Sequence, residues 1–223
     1  MRKAVTGLFL CLLILFVVDS VSAQTAPLPH DDVQSWNDVQ LSVRLRDNID
    51  LLINGTLRLG RHISDPVDER VGSGLLFKIN DYLTISPGYI HVFTQPVPGG
   101  VTRHENRFFL DGTVHFSFKG FVLYDRNMFE RRLRQPVDAT RYRNRLRIEH
   151  PVKFGRTEVV IFASDEVFYD WSVHRWVRNR FQIGAGKRFT KKFVAEIYYM
   201  RQNDGVTRPG DLHIIGTTFK IKL

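Results

Sequence analysis

Asp111, His115 and Ser117 fall at odd positions of one short segment. On a β-strand they would share a face, and Ser, His and Asp are the residue types of nucleophilic acyl transfer and hydrolysis. The set invites comparison with the Ser/His lipases and acyltransferases that use barrel scaffolds. Strand geometry argues against it, because residues i and i+2 lie about 7 Å apart along a strand. A nucleophile and its base must approach to roughly 3 Å. A polar strand face is the plainer reading, and no catalytic residue is assigned. His91, His104, His150, His174 and His213 are dispersed without ligand spacing, so neither a metal site nor a cofactor is expected. Asp165, Glu166, Tyr169, Asp170 and Trp171 sit near a predicted loop; residues of these types can hold a cation or sugar, but plain solvation is the simpler role. Gly184 and Gly186 lie in a strand leading to a turn, which rules out a phosphate loop that needs a following helix.

The strongest pattern is basic. Arg141, Arg143, Arg145, Arg147 and Glu149 alternate with Tyr142, Leu146 and Ile148, a period of two that gives a strand one charged and one apolar face. Glu105, Arg107 and Asp111, then Arg178 and Arg180, then Glu196 continue such charged faces on other segments. A charge at mid-depth in lipid costs about 2 to 4 kcal/mol, so these eleven side chains are expected to line a lumen. There the arginines either hold an anionic solute or pair with Glu149, Glu158, Glu196 and Asp111 on neighbouring strands. The second role is favoured, since acidic partners are available on several strands.

Period-two segments follow one another along the chain and no helical periodicity is sustained. Strands are predicted over 35–46, 49–60, 71–79, 82–94, 105–119, 121–132, 141–149, 158–168, 175–186, 192–202 and 212–223. The segment 121–132 reads irregularly, with Asp125 and Arg131 on the face of Leu123 and Phe129, and either a bulge or a strand projecting beyond its neighbours is expected there. Tight turns near 47, 80, 119, 154 and 190 alternate with longer connections, as in an up-and-down meander rather than a Greek key. Trp36, Tyr82, Tyr124, Phe168, Trp171, Trp176 and Phe193 are expected to form interfacial girdles. The fold expected is all-β, a transmembrane up-and-down antiparallel β-barrel of 10–12 strands. Twelve is favoured because bacterial single-chain barrels are usually even. A soluble β-sandwich binding anionic glycan is the alternative.

Arg2 and Lys3 before the apolar 8–18 stretch, with Val21-Ser22-Ala23 behind it, read as a secretory signal peptide. Residues 1–23 are that leader, 24–34 a polar N-terminal segment, and 35–223 the barrel domain. The only cysteine is Cys11, inside the leader, so the mature chain has neither disulfides nor cysteine chemistry. The formal charge is +9, and loss of Arg2, Lys3 and Asp19 with the leader leaves +8. For an exported chain this favours lipopolysaccharide, outer-membrane lipid or an anionic solute over nucleic acid. The C-terminal run Gly216-Thr217-Thr218-Phe219-Lys220-Ile221 resembles the strand signal read by the barrel assembly machinery, departing from it at Ile214 and Leu223.

The ordered motifs Trp36, Pro87-Gly88-Tyr89, Asn144-Arg145-Leu146-Arg147-Ile148-Glu149, Asn179-Arg180-Phe181-Gln182-Ile183-Gly184-Ala185-Gly186 and Tyr198-Tyr199-Met200-Arg201-Gln202 resemble the bacterial domain of unknown function 2490 family. The resemblance spans most of the mature chain and implies a predicted outer-membrane β-barrel with no assigned reaction and no catalytic residues. The reading is a monomer in the bacterial outer membrane, structural or a narrow pore with a basic lumen; a lipid-modifying barrel enzyme is the other alternative.

Overall fold

The computed structural model describes residues 29–95, 100–155 and 157–223, and the expected leader lies outside them. Eleven strands follow in order: β1 Asp31–Arg46, β2 Ile49–Gly60, β3 Asp65–Lys78, β4 Leu83–Thr94, β5 Arg103–Phe118, β6 Phe121–Arg134, β7 Ala139–Phe154, β8 Thr157–Asp170, β9 Arg175–Thr190, β10 Phe193–Asp204 and β11 Asp211–Lys222. Each pairs antiparallel with the next, and the sheet closes on itself. A single closed sheet excludes the two-sheet sandwich.

Eleven strands replace the twelve favoured from sequence. In a meander with an odd count the first and last strands run the same way, so closure needs a parallel ladder. β1 and β11 form one, from Asp31↔Asp211 to Ser42↔Lys222. An even count is needed only when every ladder is antiparallel, and here residues 31–34 lengthen β1 instead of adding a strand. The chain therefore enters the barrel at one rim and leaves at the other.

Connections of two to four residues lie at the rim reached by the end of β11, and connections of four to eight at the rim where β1 starts. The tightest geometry is at Lys119 and Gly120, with φ of 46° and 81°. Positive φ at both central residues suits the twist of a two-residue hairpin, and Phe118 pairs with Phe121 across it.

Strand alternation divides the side chains. Val39, Ile53, Phe108, Leu110, Val114, Phe129, Leu146, Ile161, Phe181, Ile183, Ile197, Ile215 and Phe219 are exposed around the outer wall. Soluble monomers rarely expose so continuous an apolar surface. Of the expected girdle residues, Tyr82, Trp171 and Trp176 are exposed. Trp36 and Phe168 instead point inward, at 3% and 1% exposure. Trp36, Phe162, Tyr198, Met200, Leu212 and Ile214 form an apolar cluster inside the barrel. Gly216 makes room for it, since a Cβ there would collide with the Tyr198 ring.

The bulge expected in β6 is absent: its ladders with β5 and β7 run without a register shift. The irregular pattern has another cause. Asp125 lies on the outer wall, where Asn144 Nδ2 donates to its Oδ1 at 2.6 Å and to Asn127 Oδ1 at 3.2 Å, while Tyr142 donates to Asn127 at 2.5 Å. Asn179 likewise donates to Asp165 at 2.9 Å. The outer wall of β6–β9 thus carries polar groups that satisfy one another.

Candidate functional site

The interior is the site, and its charged side chains are brought together by alternation on β5 to β10. Glu105 accepts from Arg107 Nε at 2.8 Å and from Arg132 Nε. Asp111 accepts from the Thr113 hydroxyl at 3.0 Å and lies 3.1 Å from Arg126 Nε. Glu130 faces Arg141 Nε at 3.1 Å and Arg143 Nη1 at 2.9 Å. Arg147 Nε donates to Glu149 at 2.7 Å, and its Nη2 lies 3.1 Å from Glu196, which Lys220 also contacts at 2.5 Å. Arg178 Nε donates to Asp204 at 2.6 Å, and Arg180 Nε to Gln202 Oε1 at 2.8 Å.

Two centres organise this network. Glu166 is shared by Arg143 Nη2 at 2.8 Å, Arg126 Nη2 at 3.4 Å and Arg180 Nη1 at 3.8 Å. The Phe168 ring is surrounded by the guanidinium groups of Arg143 and Arg180, each 4.8 Å from its centre, and Arg141 at 5.4 Å. Arg58 stacks at 3.5 Å on Trp36. An aromatic face attracts such cations by about 0.5 to 2 kcal/mol, more where water is excluded.

Sequence reasoning missed Glu130, Glu166, Trp36 and Phe168 as members of this interior. Glu130 shares alternation with Arg126, which could have placed it. Glu166 falls inside the expected strand 158–168 but near its loop end, where plain solvation is the simpler role; β8 continues to Asp170, which keeps Glu166 within the sheet. Glu158, an expected partner, is exposed near the short-turn rim.

Burial is uneven along the barrel axis. Near the long-connection rim Glu130 is 1% and Arg141 4% exposed, and Glu105, Arg107, Arg132, Asp170 and Asp204 are buried too. Toward the short turns Gln40, Arg44, Ser117, Arg188 and Lys222 are exposed. The interior is filled at one end by its own side chains and opens at the other.

The candidate catalytic set is not assembled. Asp111 is held by Thr113 and Arg126, His115 stacks on Tyr124 at 5.6 Å between ring centres, and Ser117 is exposed. The histidines are less dispersed than their numbering suggests. The β4–β5 hairpin brings His91 Nε2 to 3.4 Å from His104 Nδ1, with Asn106 Oδ1 2.7 Å from His91 Nδ1. This pair lies on the outer wall, away from the interior network.

A family model described as Protein of unknown function (DUF2490) matches residues 33–212. The chain belongs to this family. The DUF2490 barrel is similar in fold to LpxR from Salmonella typhimurium, at 11% identity and a TM-score of 0.50, over 82% of this chain and 86% of that one. Two other solved structures with a likeness are the NanC porin, at 13% identity and 0.48 over 86% and 99% of the two chains, and the KdgM porin, at 11% and 0.45 over 77% and 90%. No curated protein matches the chain in sequence. The DUF2490 chain thus shares the closed β-barrel fold.

Proposed function

We propose that the protein is a non-enzymatic barrel of the bacterial outer membrane whose basic interior is closed by its own ion pairs at the long-connection rim. Its role is structural in this resting form. The near-complete burial of the Glu130–Arg141 pair carries the reading, because an open aqueous channel would leave such groups wet. In this orientation the short turns face the periplasm and the long connections the exterior. The leader exports the chain, the assembly machinery reads β11, and the monomer's apolar wall meets outer-membrane lipid and lipopolysaccharide.

A narrow anion-preferring pore is the second reading, supported by the arginine ladder Arg141, Arg143, Arg145 and Arg147 together with Arg178 and Arg180. It requires the ion pairs around Glu130 and Glu166 to part. Membrane residence is tested by extraction and gel migration. A detergent-dependent protein whose mobility changes on heating supports the proposal, and a monomer soluble without detergent contradicts it.

A further inference from the structure

The ion pairs of the interior leave one arginine out. Arg145 sits in the middle of the ladder, directly opposite Arg126 on β6 and Glu166 on β8. The Glu166 carboxylate is occupied by Arg126, Arg143 and Arg180. Among the described residues Arg145 has neither an ion pair nor a hydrogen bond. Its Nε is buried and, among the described residues, makes no hydrogen bond. Arg126 Nε lies 3.1 Å from Asp111 and Arg58 Nε 3.8 Å from Asp68, so Arg145 is the buried guanidinium left without an acceptor.

Two like charges directly opposite on neighbouring strands repel each other. Arg126 and Arg145 are such a pair; Asp111 and Glu166 both contact Arg126, but among the described residues neither pairs with Arg145. A carboxylate or phosphate oxygen between them would accept from both forks, a geometry that guanidinium groups match well. Access is available from one side. Arg126, Arg145 and Arg147 are part-exposed, whereas Glu130, Arg132 and Arg141 beyond them are buried. The geometry points to an oxyanion site at Arg126 and Arg145, on the floor of a blind-ended lumen entered from the short-turn rim. The site deepens the reading of a basic lumen closed at one end, yet binding is measurable without any assumption about conduction.

The test is a thermal unfolding series of the detergent-solubilised full chain, with inorganic phosphate or acetate exchanged for chloride at constant ionic strength. A ligand held by the folded state alone raises the midpoint with concentration. The site predicts such a rise, strongest for phosphate if the acceptor is tetrahedral and for acetate if it is planar. Arg145→Gln is expected to weaken the apparent affinity by about tenfold or more, as befits a charge-assisted hydrogen bond. Arg145→Lys should retain part of the response, and Arg188→Gln at the exposed rim should retain it fully. Heat-modifiable migration verifies that each variant is folded. No rise with either anion in the folded parent, or an undiminished rise in folded Arg145→Gln, overturns the site. Conductance steps in bilayers would refute the closed end while leaving this outcome standing.

Discussion

At the residue scale, the interior is governed by how few carboxylates serve many guanidinium groups. Glu130 holds Arg141 and Arg143 at 1% exposure, so its loss strands the buried Arg141 and leaves Arg143 with Glu166 alone. Removing one partner of a buried pair typically costs about 3 to 5 kcal/mol, because the remaining charge is left uncompensated. Glu130→Gln is therefore expected to destabilise the barrel by a similar amount, read as a lower urea midpoint in detergent micelles. Glu158→Gln, at an exposed position, should change the unfolding free energy by less than about 0.5 kcal/mol and leave that midpoint nearly unmoved. Equal effects of the two would show that burial does not decide the value of these carboxylates.

At the element scale, β6 and β7 show how lipid-facing polar groups persist. Asn144 donates to Asp125 and Asn127, so Asn144→Leu leaves a carboxylate without its donor at a cost of about 1 to 3 kcal/mol. Replacing Asp125 by Leu as well removes the orphan, and the double variant is expected to recover most of that loss. Additive losses in the cycle would contradict the pairing. This patch also marks what the sequence could express. All eleven strands were legible, since all but β6 alternate cleanly with period two, and the ladder from Arg141 to Glu149 could be placed on one face. The β6 irregularity was legible too, but its cause was not. A hydrogen bond across a ladder depends on register between strands, and register is absent from a single strand's pattern. The same limit hid Glu166, whose role depends on Arg126, Arg143 and Arg180 from three other strands, and the His91–His104 contact across the β4–β5 hairpin.

At the scale of the whole molecule, two properties follow from closure. One is the parallel seam, which the evenness of common barrels argued against. Val39 and Phe219 are register partners across it. With Cys11 replaced by Ser, a chain carrying Val39→Cys and Phe219→Cys should therefore lose maleimide-reactive thiol on mild oxidation. Val39→Cys with Ile215→Cys, displaced by four residues or about 13 Å of strand, should keep it. Crosslinking of the second pair alone, or of neither, would mean that β1 and β11 are not neighbours in this register.

The other property is the closed end. The filling of one rim by Glu105, Arg107, Glu130, Arg132, Arg141 and Asp204 follows from packing large charged side chains with Trp36 and Phe168 inside a small barrel. The most direct measurement is planar-bilayer recording of the purified, folded protein at neutral pH and moderate salt. A barrel plugged by its own ion pairs gives no conductance steps, and regular steps from the unmodified chain would contradict the account.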